Sequence, residues 1–310
     1  MNAQTYRYLH LDVFTEALLE GNQLAVFTDA RGLDAGLMQK IALEMAFSET
    51  TFVLPPENSN ADFRVRIFTP RRELPMAGHP TIGTAFALST DNLIEVGLPT
   101  ITLGLGIGPT PVALEWNSKR LRFAWMTQPL PEFGPELTNV SEMAAALGIQ
   151  ETEIRSTSLP IQVVSCGLPF LFVPLASRQT VDATELDRNA LRHFCATARL
   201  GELPAFVFSL EPAGAEETVF SRMFAPGFGV AEDPATGGAS GALGSYLITH
   251  RAVSADQAHH MISLQGAKMG RPSRIHISIE EGDGRISRVR VGGQAVVVGE
   301  GTITFSGAIG

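Results

Sequence analysis

Six residues of this chain stand where their chemistry could move a proton or hold an anion. Glu49, His79 and Asp233 are titratable, and Gly78, Gly237 and Gly238 can present bare backbone N–H groups. Gly78-His79-Pro80-Thr81 and Thr236-Gly237-Gly238 both read as glycine-rich helix starts. A helix N-terminus leaves N–H groups unpaired and carries partial positive charge, and glycine lets a ligand come close to that backbone. Each turn suits a carboxylate or a developing enolate oxygen, although the same glycines also serve close helix packing. His79 in a first turn has its pKa lowered, because the helix dipole opposes the cation, and a neutral imidazole there can donate a hydrogen bond or relay a proton. Asp233 precedes Pro234, a position that equally favours a plain capping or turn aspartate. Glu49 opens the apolar run Thr50 to Leu54, and local sequence alone places its carboxylate at a solvent edge. Cys166-Gly167 resembles a thiol base, but flanking Val163-Val164 and Phe170-Leu171-Phe172 make it a buried structural thiol.

The elements that must position these residues occur twice. Arg66-Ile67-Phe68-Thr69-Pro70 and Arg222-Met223-Phe224-Ala225-Pro226 are both Arg-x-Phe-x-Pro strand ends, and each runs through a turn into one of the glycine-rich helix starts. One strand–turn–helix unit used twice places two such starts in one chain; facing each other across a cleft, they would form a site. Around them, period-two alternation predicts strands over Tyr6 to Phe14, Gln23 to Phe27, Glu49 to Leu54 and Asp62 to Phe68, with Gly21-Asn22 as a turn. Further strands are expected over Ile101 to Leu105, Val112 to Trp116, Arg120 to Met126, Ile161 to Ser165, Phe170 to Pro174, Ala205 to Leu210 and Thr218 to Phe224. The last four are expected over Ile262 to Gln265, Arg274 to Ile279, Ser287 to Gly292 and Gln294 to Val298. Helical spacing predicts helices over Ala35 to Phe47, Pro80 to Leu88, Ser141 to Leu147 with Ser141 as N-cap, Leu186 to Leu200, and Gly238 to His250. Gln128 to Pro135, with three prolines, reads as a crossover between domains. Strand-rich and mostly hairpin-connected, this order is not the alternation of a doubly wound parallel sheet. It predicts an α+β chain of two domains, each a curled sheet around a helix.

A length of 310 residues fits two ordinary domains, and 45% hydrophobic with 18% charged residues is a globular composition. A net charge of −9 without basic runs argues against a nucleic-acid partner. Two cysteines without metal-like spacing suggest neither a disulfide framework nor a zinc site. No stretch approaches a membrane span and the start of the chain lacks an apolar signal core, so a cytoplasmic protein without membrane partners is expected. There is no P-loop, serine elbow or His-rich metal motif, and Gly104-x-Gly106-x-Gly108 lacks the third glycine spacing and following helix of a nucleotide fingerprint. No cofactor and no metal are expected.

The chain resembles the PhzF (phenazine-biosynthesis) family, related in fold to diaminopimelate epimerase. The likeness runs nearly end to end through Asp12-Val13-Phe14-Thr15 with Gly21-Asn22, Ser48-Glu49-Thr50-Thr51-Phe52-Val53, Arg66 to Pro70 and Gly78-His79-Pro80-Thr81. It continues through Phe224-Ala225-Pro226, Glu232-Asp233-Pro234-Ala235-Thr236-Gly237, Gln265-Gly266, Met269-Gly270-Arg271-Pro272-Ser273 and Val291-Gly292-Gly293. The resemblance implies two similar domains, each a barrel-like, mostly antiparallel sheet around a central helix. They would span residues 1–127 and 128–293, with a C-terminal strand at about 294–310 returning to the first. It also implies an active site between them and a homodimer.

The same resemblance implies that Glu49 is the acid/base, supported by Gly78, His79 and Asp233, with Gly237 and Gly238 holding a substrate carboxylate. Epimerase relatives carry a cysteine at each helix start. Here Ala77 and Thr236 occupy those approximate positions, so two-thiol proton exchange is not available. Gly238 stands where many relatives have serine, which removes one hydroxyl donor, and Gln23 stands where proline is common. The expected activity is a cofactor-independent isomerisation that moves a proton on a small carboxylate-bearing cyclic or amino-acid-like substrate. The alternatives are an amino-acid epimerase or racemase on the same fold, and a catalytically silent ligand-binding homologue.

Overall fold

The structure, a computed structural model, describes residues 4–211, 214 and 216–305. The chain start before Gln4 and the stretch 306–310 of the expected last strand lie outside the described residues. The chain divides into two compact units, residues 1–126 with 292–310 and residues 127–291.

In the first unit the order is β1 (Gln4–Val13), β2 (Asn22–Phe27), α1 (Ala35–Met45), β3 (Glu49–Leu54), β4 (Phe63–Phe68), β5 (Glu73–Leu74), α2 (Gly78–Thr90), β6 (Thr100–Leu105), β7 (Gly108–Asn117) and β8 (Arg120–Gln128). β1 and β2 form an antiparallel hairpin, β2 runs parallel to β3, β3 is antiparallel to β4, and β4 runs parallel to β6. Every residue of α2 from Gly78 to Leu88 is buried. A helix apolar or small on all sides has no solvent face to present, so the sheet wraps it. On the outer face of the sheet α1 packs Met38, Ile41 and Ala42 against Phe27, Phe52 and Phe68.

The second unit repeats this plan. It contains β9 (Glu132–Leu137), α3 (Val140–Leu147), α4 (Thr152–Arg155), β10 (Ile161–Ser165), β11 (Pro169–Pro174), α5 (Arg178–Ala183), α6 (Arg188–Thr197), β12 (Ala205–Ser209) and β13 (Val219–Ala225). It continues with β14 (Val230–Asp233), α7 (Gly237–Thr249), β15 (Met261–Gln265), β16 (Ser273–Gly282) and β17 (Arg285–Gly293). β10 and β11 are antiparallel, β11 runs parallel to β12, β12 is antiparallel to β13, and β13 runs parallel to β15. Strand alternation decides the two cores. Phe170, Phe172, Phe206 and Phe208 pack with Ala242, Leu243 and Tyr246 of the buried α7, while Leu171, Val173 and Val207 face Met143, Leu147, Leu191 and Phe194 of α3 and α6. The expected α+β class, with a mostly antiparallel sheet around a central helix, is what the structure shows.

The repeat holds residue by residue. Aligning Arg66 with Arg222 pairs Thr50 with Ala205, because Thr50 lies opposite Phe68 and Ala205 opposite Phe224. The parallel ladders then match Leu105 with Gln265, since Phe63 lies opposite Leu103 and Val219 opposite Ser263. Helices α2 and α7 both have 13 residues, so Gly78 matches Gly237 and Ala77 matches Thr236. A backbone contact agrees: a Cβ on Gly106 would sit 2.7 Å from Pro75 Cα, and one on Gly266 would sit 2.5 Å from the Pro234 carbonyl oxygen.

Three expectations change in detail. The crossover at 128–135 already contains β9 from Glu132, paired antiparallel with β10. Gly134 and Pro135 together face the single residue Val163 in a bulge, and a bulge tolerates a proline that cannot donate to the ladder. The last strand, β18 (Ala295–Phe305), is longer than expected and pairs with β1, its own bulge lying opposite His10/Leu11. Gly301 lies opposite Tyr8, whose ring covers it, so a glycine that reads as a break is accommodated. Ser141 is not the N-cap of α3; Asn139 takes that place, and the Ser141 hydroxyl donates to Glu151 instead.

Candidate active site

Glu49 is the first residue of β3. Helix α1 ends at Met45, Ala46 turns the chain in the left-handed region (φ 55°), and three residues later the strand begins beside Leu24 of β2. The carboxylate is not at a solvent edge as its local sequence suggests: its side chain is only 14% exposed. Tertiary neighbours override the local pattern, because α2 starts directly beside it.

His79, the second residue of α2, is 3% exposed and places Nε2 3.4 Å from Glu49 Oε2. Its other ring nitrogen, Nδ1, lies 3.1 Å from the Asn22 side-chain nitrogen. Burial pushes the His79 pKa down to about 3, with a Gln23 backbone hydrogen bond opposing it in part. The imidazole is therefore neutral near pH 7, and its approach to Glu49 is not an ion pair. Which ring nitrogen carries the proton decides the role that each plays toward Asn22 and Glu49. Asn22 escapes sequence reasoning, which takes it for a turn residue. It is in fact the first residue of β2 and 1% exposed. A polar side chain at the start of an apolar strand was the available signal.

In the second unit Asp233 closes β14 and is 5% exposed. Its Oδ2 accepts a 2.6 Å hydrogen bond from the Thr236 hydroxyl. Gln265, fully buried at the end of β15, donates through Nε2 to the Asp233 carbonyl (2.7 Å) and to Thr236 Oγ1 (2.9 Å), and its Oε1 accepts from the Thr236 backbone N–H (3.0 Å). Gly237 and Gly238 are the buried first two residues of α7.

Neither α2 nor α7 has a side-chain cap hydrogen bond or an acidic residue in its first turn. Most helix starts are capped by a side chain or by water. Two buried starts without a side-chain cap or a first-turn acid have positive ends that suit an anion. Thus Glu49, His79 and Gly78 come together in the first unit, and Asp233, Gly237 and Gly238 in the second. Cys166 is buried beside Ser245 (4.0 Å), and burial pushes its thiol up to about 12, which removes it as a base near neutral pH. Among the described residues no group of three or more His, Cys, Asp or Glu side chains could hold a metal, and no helix is long and apolar enough to cross a membrane.

The chain as a whole is similar to known proteins. The family model described as phenazine biosynthesis-like protein, PhzC-PhzF, matches residues 11–301. The chain is 38% identical over 296 residues to trans-2,3-dihydro-3-hydroxyanthranilate isomerase of Pseudomonas aeruginosa, covering 96% of this chain and 98% of that protein. A crystal structure of a Bacillus anthracis phenazine biosynthesis protein of the PhzF family superposes with a TM-score of 0.85 at 27% identity, covering 97% of this chain and 99% of that one. A hydroxyproline epimerase of Agrobacterium vitis, crystallised with trans-4-hydroxy-L-proline, shares the fold alone: its TM-score is 0.67 at 13% identity, over 98% of this chain and 92% of that one.

Proposed function

Because the chain belongs to the phenazine biosynthesis-like (PhzC-PhzF) family and is an isomerase, we propose that it shifts a proton on a small carboxylate-bearing ring with Glu49 as the acid/base. The observation that carries this reading is the mostly buried Glu49 carboxylate 3.4 Å from a neutral, Asn22-held imidazole. The Glu49 carboxylate takes a proton from a C–H of the substrate. The electron pair left on carbon moves into the adjacent π system, and the protonated carboxyl returns the proton to another carbon of that system. Atoms and electrons balance within the substrate and one side chain, so no cofactor is required by the step. His79, uncharged, orients the carboxylate without forming an ion pair with it.

The uncapped start of α2 at Gly78 supplies N–H groups where negative charge develops. Gly237 and Gly238 supply the same groups for a substrate carboxylate, and Asp233 accepts from a substrate amine or hydroxyl. Ala77 and Thr236 cannot serve as a thiol pair, which sets this reading above a two-base epimerase. On the same family basis the protein is a homodimer, which light scattering reads directly.

The substrate of the 38%-identical relative is the first compound to assay. Incubated in deuterated water and followed by proton NMR, trans-2,3-dihydro-3-hydroxyanthranilate should be isomerised by the wild type and left unchanged by Glu49→Gln. Inversion at one carbon of an amino acid, without movement of a double bond, would establish the epimerase instead. Binding without turnover of any carbon acid would establish a silent homologue.

A further inference from the structure

Thr236 stands at the N-cap of α7, where a threonine hydroxyl normally accepts from an N–H of the first helical turn, a bond whose loss costs about 1 kcal/mol. Here the hydroxyl makes no cap bond and is committed to Asp233. With Asp233 as a carboxylate, one arrangement of protons satisfies the bonds among these three residues. The Thr236 backbone N–H can only donate and the Asp233 carbonyl can only accept, so the two ends of the Gln265 amide are assigned by backbone groups: Oε1 to the first and Nε2 to the second. Nε2 then donates its second proton to Thr236 Oγ1. The hydroxyl itself donates to Asp233 Oδ2, 2.6 Å away, the length of a hydroxyl donating to a carboxylate.

The other half of the repeat shows that the fold does not need this cluster. Leu105 matches Gln265, Ala77 matches Thr236, and Leu74-Pro75 matches Asp233-Pro234. The shared parts of the turn survive there, including the side chain that back-bonds the helix start: Thr81 to the Ala77 carbonyl (2.6 Å) and Ser240 to the Thr236 carbonyl (3.0 Å). The polar set is thus an addition to a backbone that folds with apolar residues at the same positions.

We propose that Gln265 and Thr236 are positioning residues that direct a proton onto one oxygen of Asp233 and so hold it as a hydrogen-bond acceptor toward substrate. What Asp233 then offers is acceptor capacity and not a proton, which selects a substrate bearing an N–H or O–H donor. The proposal rests on the isomerase reading for its kinetic test and on geometry alone for its spectroscopic one.

The kinetic test is a double-mutant cycle on trans-2,3-dihydro-3-hydroxyanthranilate turnover by the full chain. Thr236→Val should lower kcat/KM about ten- to a hundred-fold, the loss of one hydrogen bond to a charged group, and Thr236→Ser should restore most of it. In an Asp233→Asn background Thr236→Val should cost little more. Multiplicative losses, or Thr236→Ser behaving as Thr236→Val, would overturn the assignment. The spectroscopic test is proton NMR of the free protein. A slowly exchanging hydroxyl proton of Thr236 should show an NOE to the Gln265 side-chain amide and vanish in Thr236→Val. A rapidly exchanging Gln265 amide without that NOE would contradict the cluster. Turnover absent from the wild type while the NOE is present removes the isomerase reading and leaves the positioning intact.

Discussion

At the start of α2 the first unit gathers Glu49, His79 and Asn22; at the matching positions of the second unit stand Pro204, Gly238 and Leu168. At the start of α7 the second unit gathers Asp233, Thr236 and Gln265; at the matching positions of the first stand Leu74, Ala77 and Leu105. Each half is polar where the other is apolar or small. The shared backbone supplies what two copies can share: a buried, uncapped helix start behind an Arg-x-Phe strand. The side chains added to it differ, with a mostly buried carboxylate beside a neutral imidazole on one and a carboxylate bonded to the Thr236 hydroxyl on the other. On the proposed reading, the duplicated helix starts hold negative charge and divergence assigns the proton chemistry to one of them.

The doubled arginines differ in the same way. Arg66 and Arg222 each lie over the phenylalanine two residues on (5.1 and 4.8 Å to the ring centroid) and each grips a glutamate with two nitrogens, Glu73 and Glu232. Arg222 is the more buried, 7% against 17%, and alone of the two also donates to the carbonyls of Val181, Asp182 and Thr184 at the end of α5. Removing Arg222 therefore strands a glutamate and three carbonyls. Arg222→Met should cost about 3–5 kcal/mol in denaturant unfolding, whereas Arg66→Met should cost about 1 kcal/mol or less. Equal losses would mean that the two motifs are interchangeable and that burial does not distinguish them.

A smaller effect tests the register of the repeat. Gly266→Ala meets carbonyl oxygens of Arg271 and Pro234 and holds a left-handed φ of 75°, so a loss of about 2–3 kcal/mol is expected. Gly106→Ala meets the Pro75 backbone without the left-handed penalty and should lose about 1–2 kcal/mol. Thermal melts of both variants check the order. An unaffected Gly106→Ala would break the match between the two turns.

His79 has no counterpart in the second unit, and its cost is visible in pH. Its folded pKa, about 3, lies below the ordinary 6.5, so between these values the unfolded chain binds the extra proton. Its contribution to stability is complete above pH 6.5 and falls by about 1.4 kcal/mol per pH unit as the pH drops through that window. Unfolding free energies measured from pH 7 to 4 should show this slope as the difference between wild type and His79→Gln. The absence of any difference would mean that the ring titrates normally and is not buried neutral.

Much of this was legible in the residues. The doubled Arg-x-Phe-x-Pro pattern marks two strand ends that lead into buried helices, and alternation locates most strands. What escaped depends on pairing across the sheet. Pro135 hid β9 because a proline reads as a break until a bulge is known to receive it, and Gly299 and Gly301 hid most of β18 until Tyr8 was seen to cover the second. Asn22 and Gln265 lie 57 and 29 residues from the side chains they hold, so only the folded ladder joins them. Glu49 reads as solvent-exposed because its own neighbours say nothing of α2, whose start buries it.

On the proposed reading, proton transfer belongs to the first unit's cluster while the second unit's cluster only holds substrate. Solvent-deuterium incorporation into trans-2,3-dihydro-3-hydroxyanthranilate, or into its isomer, separates the two. Glu49→Gln should abolish incorporation even at saturating substrate, a loss of at least about 10²–10⁴-fold. Asp233→Asn should retain it, with the defect appearing mainly in KM. Incorporation that survives in Glu49→Gln and disappears in Asp233→Asn would contradict the account.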